Sequence, residues 1–300
     1  MGRVLVSVGL LALLGVGAYL YPPARLMVLV LAGRSPACPM ANAVRADQHR
    51  ETLTIVKDRI LAASQRVERT GGLELWETPY GPFWIPEGNQ FVLPFNLAEQ
   101  ELEIYGQDSL GVRPGDIVLD CGANVGAFAR AALRAGARTV VAIEPAPVNL
   151  ECLRRNFASE IEAGSLILYP KGVWDRQEEL PLLVDPHNLA AASVVLHHGD
   201  ARESGTVSLT TIDALAAELD LSRVDFIKLD IEGAEQKALA GARETIARYR
   251  PRLAVSAYHQ PDDPQRIPEI VREAWPAYTM ECGPCSLAGN WIRPDILYFY

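Results

Sequence analysis

The 300-residue sequence is poor in lysine, with four lysines among its 28 basic residues, and it has no run of basic residues beside aromatic ones. Its formal net charge is −9. Proteins that bind RNA or DNA need a basic patch to neutralise phosphates. A nucleic-acid substrate is therefore not expected, whereas a hydrophobic share of 49% is ordinary for a globular chain with a sizeable core.

Cysteine is also scarce, with five residues at irregular spacing. An odd number without a regular pattern does not indicate a disulfide framework, so a reducing compartment is the simpler interpretation. Cys282 and Cys285 form one CxxC motif without a second pair. Because zinc would lack ligands there, we interpret both as ordinary thiols in a loop between strands.

The chain has a glycine loop that lacks the third glycine of a dinucleotide-binding motif. In the segment Asp116–Glu144 an apolar run ends at Asp120, and a turn with Gly122 and Gly126 follows. A helical segment and a second apolar run that ends at Glu144 complete a β-α-β unit. The spacing D-x-G-x-x-x-G differs from G-x-G-x-x-G, which disfavours a nicotinamide-dependent oxidoreductase.

Acidic residues at the ends of both strands indicate which ligand this loop would bind. Ligands of open parallel sheets lie at the carboxyl ends of the strands. Asp120 can attract an ammonium group, and Glu144, 24 residues later, can accept hydrogen bonds from two ribose hydroxyls. S-adenosylmethionine has both parts and no phosphate, so it is the expected cofactor. Val173 is predicted to pack on its adenine and Asp175 to accept from the adenine amine, with Trp174 either beside them or in the core.

Three motifs together resemble a known family. DCGANVG at 120–126, the pair Glu144-Pro145 and KLDIEGAE at 228–235 are similar to the FkbM family of class I S-adenosylmethionine-dependent methyltransferases. The resemblance covers about residues 71–300 and implies a Rossmann-like α/β fold with a seven-stranded, mostly parallel sheet whose last strand is antiparallel. The predicted cofactor-binding residues are Asp120, Gly122, Asn124, Gly126, Glu144, Pro145, Val173, Asp175 and Asp230.

The catalytic candidates are two acids and a histidine expected at the same sheet edge. Methyl transfer requires collinear alignment, and a hydroxyl acceptor also needs a base. His259 is the predicted base, with Asp230 and Glu232 positioning the acceptor, although a structural role for His259 stays open. A divalent ion held by Asp230 and Glu232 with Asp262 or Asp263 is the alternative. No metal ligand is assigned.

The resemblance implies O-methylation of hydroxyls on sugars, polyketides and related metabolites, so a small-molecule or glycan acceptor, including a glycolipid, is expected. A strand-rich insertion over residues 180–210 is predicted to shape the acceptor pocket, with His187, His197 and His198 on the surface. Glu101 and Tyr105 are candidates to reach the methionine end of the cofactor. A noncatalytic scaffold on the same fold is the alternative function.

The amino-terminal stretch Val4–Tyr21 contains 18 residues without a charge, near the lower limit for crossing a bilayer. More arginines follow it than precede it, which by the positive-inside rule leaves the body of the protein in the cytoplasm. We therefore expect residues 1–34 to be an uncleaved anchor in a bacterial inner membrane. A cleaved signal peptide and a re-entrant hairpin are the alternatives.

Residues 35–70 are predicted to be an amphipathic helical linker before a methyltransferase domain at 71–300. Apolar residues recur there at steps of three and four, and Gly71 ends the pattern. The helix would pack on the enzyme domain or form a short coiled coil, giving a homodimer through residues 42–69. The apolar stripe comprises Leu53, Val56, Ile60, Ala63 and Val67.

Overall fold

The computed structural model describes residues 21–185, 188–196 and 199–300. Its strands, in chain order, are β1 (Gln65–Thr70), β2 (Leu73–Thr78), β3 (Gly81–Pro86), β4 (Ile117–Cys121), β5 (Thr139–Ile143), β6 (Leu166–Tyr169), β7 (Gly172–Val173), β8 (Glu178–Asp185), β9 (Asn188–Ser193), β10 (Arg202–Thr210), β11 (Phe226–Leu229), β12 (Arg252–Ser256), β13 (Met280–Cys282), β14 (Cys285–Ala288), β15 (Trp291–Pro294) and β16 (Ile296–Phe299). Its α-helices are α1 (Pro22–Leu31), α2 (Met40–Ala43), α3 (Ala46–Ala62), α4 (Val92–Glu101), α5 (Ala127–Arg134), α6 (Pro147–Asn156), α7 (Ala158–Glu162), α8 (Ile212–Glu218), α9 (Glu235–Ala240), α10 (Arg243–Tyr249) and α11 (Asp263–Ala274).

A seven-stranded sheet in the order β13-β16-β12-β11-β4-β5-β6 forms the centre of the protein. The five strands from β12 to β6 are parallel, and β16 pairs antiparallel with both β12 and β13. Strands β4 and β11 are buried along their whole length, as expected for parallel strands covered on both faces. The predicted seven-stranded sheet with an antiparallel last strand is confirmed.

The register brings the predicted functional segments to one edge. In β4 the residue Cys121 lies opposite Ile143 of β5 on one side and Leu229 of β11 on the other. The glycine loop after β4 and the acidic segments after β5 and β11 therefore start side by side. The chain runs from β4 to β6 on one side and returns through β11 and β12 on the other, which makes this edge the switch point where open sheets bind ligands.

Lys228 and Asp120 form a buried ion pair between adjacent strands. Their charged atoms lie 3.2 Å apart, and the side chains are 5% and 0% exposed. The parallel register of β4 and β11 places Lys228 directly opposite Asp120. Although burial would lower the pKa of Lys228, the charges of Asp120 and Asp230 and the hydrogen bond to Asp120 together raise it, so the lysine stays protonated.

Replacement of Lys228 by methionine is expected to lower the free energy of unfolding by about 3–5 kcal/mol, because it leaves Asp120 as an unpaired buried charge. Urea unfolding measures the change. Lys171→Met is the matched control: Lys171 pairs with Glu218 at the surface, where an ion pair contributes about 0–1 kcal/mol. The double variant Asp120→Asn/Lys228→Met should recover much of the loss. An equal, small effect of both lysine substitutions would contradict the assignment.

A second sheet in the order β7-β10-β8-β9 extends from the central one and corresponds to the predicted strand-rich insertion. Its inner face contributes Leu182, Val207 and Leu209 to a cluster of buried apolar residues. The predicted surface histidines at 187, 197 and 198 lie outside the described residues. The buried apolar cluster also contains Ala146 after β5 and Ala234 after β11, so the insertion covers the carboxyl edge of the central sheet.

Helix α3 ends earlier than the sequence pattern suggests. It ends at Ala62, and the following residues form β1 of a three-stranded sheet with the hairpin β2–β3. Val67 is therefore on a strand and 53% exposed. Val56 and Ile60 pack in a buried cluster with Leu93 and Leu97 of α4, so the centre of the apolar stripe makes an intrachain contact.

The predicted membrane localisation is wrong on the evidence of the described residues. Within residues 21–185, 188–196 and 199–300, no helix combines the length and apolar character needed to cross a bilayer. Helix α1, inside the predicted anchor, has ten residues and buries Leu26 in the core of the enzyme domain. The uncharged stretch that motivated the prediction lies outside the described residues except for Tyr21.

The interpretation of the CxxC motif as ordinary thiols is also wrong. Cys285 forms a disulfide with Cys38, 247 residues away in sequence, while Cys282 keeps a free thiol. This bond joins the segment between α1 and α2 to the start of β14. Spacing within the sequence could not reveal a partner so distant, and the argument for a reducing compartment loses its support.

Candidate active site

A cavity of about 470 Å³ opens at the carboxyl ends of β4, β5 and β11. Its walls are the glycine loop, the segments after β5 and β11, helix α4 and the second sheet. The predicted site residues that line it are Gly122, Asn124, Glu144, Pro145, Val173, Asp230 and Glu232.

Only glycine can occupy position 122. It has a φ of +80°, and a Cβ there would lie 1.9 Å from the carbonyl oxygen of Asp230. The amides of Gly122 and Ala123 donate to the carbonyl of Ile143, which fixes the loop against β5. Gly126 has a different role: a Cβ there would lie 2.1 Å from the Phe157 ring, so this glycine permits close packing behind the loop.

Glu144 is a buried carboxylate that joins two loops. Its Oε2 accepts from the amide of Asn124 at 2.9 Å, and its Oε1 accepts from the amide of Ala146 at 2.8 Å. Burial raises the pKa of Glu144 to about 7 despite these hydrogen bonds, which favour the ionised form. These hydrogen bonds and a further one from the Asn149 side chain fix the carboxylate in position at the cavity wall.

Asp230 is surrounded by hydroxyl groups. Tyr105 and Ser256 each donate to it at 2.8 Å, and the Tyr258 hydroxyl lies 3.5 Å away. Burial alone would raise the pKa of Asp230, but the charges of Lys228 and His259 and the hydrogen bonds from Tyr105 and Ser256 lower it. Asp230 is therefore a fixed negative charge on the cavity wall.

Glu232 lies on the same wall in a strained conformation. Its φ is +53°, in the left-handed region that non-glycine residues seldom adopt. Residues held in this conformation cluster at functional sites. Ser193 of β9 donates to its carbonyl at 2.8 Å, which ties this turn to the second sheet. Burial raises the pKa of the Glu232 carboxyl to about 7, while the nearby His259 charge opposes that shift.

His259 lies behind the acids and does not line the cavity. Its side chain is 4% exposed, with Nδ1 at 2.9 Å from Glu235 and Nε2 at 3.4 Å from Glu232. Although burial would lower the pKa of His259, the hydrogen bond and charge of Glu235 and the charges of Asp230 and Glu232 raise it to about 9. At neutral pH the ring is a cation.

Two further predicted residues lie away from the cavity. Asp120 is fully buried and faces Lys228, as described above. Asp175 forms an ion pair with Lys237 at 2.7 Å, and the neighbouring Trp174 is 8% exposed within the buried apolar cluster of the second sheet. Because Asp175 pairs with Lys237 and does not line the cavity, it is not positioned for the predicted contact with adenine.

Sequence reasoning did not predict several polar residues of the cavity, Glu99 and Asn149 among them, and it misplaced Glu101. Glu99 is 9% exposed, and burial raises its pKa well above the usual range, with the Asp230 charge adding to the effect. Asn149 lines the wall beside Glu144. Glu101 instead faces outward and pairs with Arg59 and Tyr80. The helical periodicity of α4 puts positions 95, 96, 99 and 100 on one face, so this pattern could have indicated Glu99 as a cavity residue.

Comparison with known proteins identifies the family. The model of the methyltransferase FkbM domain matches residues 120–275. The 31-O-demethyl-FK506 methyltransferase FkbM of Streptomyces tacrolimicus is 28% identical in an alignment 167 positions long, which covers 47% of this chain and 64% of that protein. The AMB antimetabolite synthetase AmbE of Pseudomonas aeruginosa is 27% identical in an alignment 199 positions long, which covers 52% of this chain and 9% of the synthetase. The chain spans less than two thirds of each relative's length.

Solved structures also resemble the chain. A methyltransferase FkbM from Methylobacillus flagellatus has 20% identity and a TM-score of 0.48, and the match covers 87% of this chain and 60% of that one. Aeropyrum pernix fibrillarin, solved with natively bound S-adenosyl-L-methionine, has 13% identity and a TM-score of 0.43, with 79% and 97% covered. With the family model matched over more than half of the sequence, the chain belongs to the FkbM family of methyltransferases, and its cofactor is S-adenosylmethionine.

Proposed function

We propose that the protein methylates a hydroxyl group of a small-molecule acceptor, with Glu232 as the general base. One observation carries the proposal: Glu232 lines the same cavity as Gly122 and Glu144, and burial raises its pKa to about 7. A carboxylate with such a pKa is ionised in part at neutral pH and basic enough to accept a proton from a hydroxyl as the methyl group transfers.

The residues of the cavity fit the cofactor. When bound, S-adenosylmethionine supplies an electrophilic methyl group on a positive sulfur. Glu144 is suited to accept hydrogen bonds from two ribose hydroxyls, Gly122 leaves room for close approach, and Pro145 and Val173 offer an apolar surface to an adenine ring. Asp230 supplies negative charge near the cationic end. Asp120 would contribute only indirectly, by keeping Lys228 and the loop in place.

The base is better assigned to Glu232 than to His259. His259 is buried away from the cavity and is already protonated at neutral pH, so it cannot accept a proton there. As a cation it instead opposes the rise in the pKa of Glu232. We infer that Glu235 orients His259, that His259 positions Glu232, and that Glu232 draws the proton from the acceptor.

The outer part of the cavity supports an acceptor with both apolar and hydroxyl-bearing surface. Phe91 and Phe95, 65% and 40% exposed, stand beside the side-chain amides of Asn96 and Gln100. Aromatic faces pack on sugar rings and on hydrocarbon, and amides hydrogen-bond hydroxyls. The name of the Streptomyces relative, 31-O-demethyl-FK506 methyltransferase, describes methylation of an oxygen. A sugar or secondary-metabolite hydroxyl is the acceptor class we propose.

The test is methyl transfer to a panel of glycosides and polyketides, each offered as the free hydroxyl and as its methyl ether. We expect S-adenosylhomocysteine and a product heavier by one methylene from at least one free hydroxyl, and no product from its ether. Transfer to amines or thiols alone would contradict O-methylation. Cofactor binding without transfer to any hydroxyl of the panel would favour the noncatalytic alternative.

A further inference from the structure

Three cysteines converge outside the active site. Cys38 and Cys285 form the disulfide, and the Sγ atom of Cys282 lies 3.7 Å from that of Cys285. All three sulfurs lie within 4.8 Å of one another, and each side chain is buried, at 7%, 9% and 1% exposure for Cys38, Cys282 and Cys285. A disulfide that only joined two segments would not need the third sulfur.

The spacing of the sulfurs matches that of a metal–thiolate site. With Zn–S bonds of about 2.3 Å and tetrahedral angles, two thiolates on one zinc ion lie about 3.8 Å apart. The separation between Cys282 and Cys285 is close to this value before any ion is added. When reduction separates Cys38 from Cys285, the Cys38 thiolate can occupy a third corner of the tetrahedron around the metal ion.

The backbone around the cluster is well fixed. Asn42 of α2 donates to the carbonyls of Cys282 and Gly283 at 3.0 and 2.9 Å, so the CxxC turn is bound to the segment that carries Cys38. A Cβ at Gly283 would lie 2.9 Å from the carbonyl oxygen of Ile296, which leaves the turn little freedom.

We propose that, when the disulfide is reduced, Cys38, Cys282 and Cys285 bind one zinc ion, with the fourth position left to water or another small ligand. Reduction by a dithiol converts the Cys38–Cys285 bond into two thiols and oxidises the dithiol to its disulfide. Binding of Zn²⁺ by three thiolates then releases three protons. Either state joins the amino-terminal segment to β14, by a covalent bond under oxidising conditions and by a metal under reducing ones.

The proposal is tested by titrating the full chain, reduced and freed of metal under anaerobic conditions, with Co²⁺ and then Zn²⁺. We expect one equivalent of Co²⁺ to give the sulfur-to-metal and ligand-field absorption of a tetrahedral thiolate site, and Zn²⁺ to displace it. Co²⁺ on the carboxylates of the active site gives no sulfur-to-metal band, so the two sites are distinguished.

Cys282→Ser is the informative variant because it keeps both disulfide cysteines. Its oxidised form should show the Cys38–Cys285 bond by peptide mass mapping, which establishes that it folds, and its reduced form should lose the sulfur-to-metal absorption or bind Co²⁺ far more weakly. Cys152→Ala, at a buried cysteine of α6, is the control and should bind as the unaltered chain does. An unchanged site in Cys282→Ser, or no thiolate-bound metal in the reduced chain, would overturn the proposal.

Discussion

Glu144→Ala is expected to weaken S-adenosylmethionine binding at least about a hundredfold, since two hydrogen bonds to a charged acceptor contribute about 1.5–3 kcal/mol each. The variant also frees the amides of Asn124 and Ala146, which Glu144 holds in place. Isothermal titration calorimetry measures the affinity.

Glu151→Ala is the matched control for this experiment. Glu151 lies on α6 shortly after Glu144, is about half exposed and pairs with Arg155. Its loss should leave the cofactor affinity nearly unchanged, and thermal unfolding should show that both variants remain folded. Retained affinity in a folded Glu144→Ala protein would mean that the ribose lies elsewhere.

Glu232→Gln is expected to lower kcat by about 10²–10⁴-fold, the usual contribution of a positioned general base. Glutamine keeps the size and hydrogen-bonding capacity of the side chain but cannot accept the proton. Cofactor affinity should change little, so the effect should fall on kcat under saturating S-adenosylmethionine. Glu273→Gln, at an exposed acid of α11, is the control. A variant with normal kcat would remove Glu232 from the mechanism.

The pH profile separates a base from a residue that only shapes the site. Because the pKa of Glu232 is about 7 and the ionised form is the active one, kcat should fall as the pH drops below about 7 and level off above it. Glu232→Gln should abolish this fall of kcat at low pH. His259→Gln removes the cation that lowers the pKa of Glu232. The pKa of Glu232 should therefore rise, and the fall in kcat should begin at a higher pH while a measurable rate remains. A profile unaltered in both variants would contradict the assignment.

The sequence predicts the central fold because its strands are short apolar runs punctuated by glycines and acids. The β4–α5–β5 unit follows from such local patterns, whereas the antiparallel β16 follows only from the resemblance to the FkbM family. The acids directly after β5 and β11 fall on the cavity wall. The loop position of Gly122 is likewise predictable, since its function rests on the lack of a side chain.

The rest depends on contacts between distant residues. The pairing of Asp120 with Lys228 follows from parallel register, and the burial of His259 follows from the packing of α9 against the segment after β12. The end of α3 at Ala62 is set by β1 joining the hairpin, against a continuing helical pattern. Neither the spacing of residues nor the composition of the sequence predicts any of these contacts.

The most direct measurement is a crystal structure of the chain with S-adenosylhomocysteine. The account predicts both ribose hydroxyls within hydrogen-bonding distance of Glu144, adenine beside Val173, and the sulfur facing the part of the cavity that contains Asp230 and Glu232. A nucleoside bound away from Glu144, or a sulfur turned away from Glu232, would contradict it.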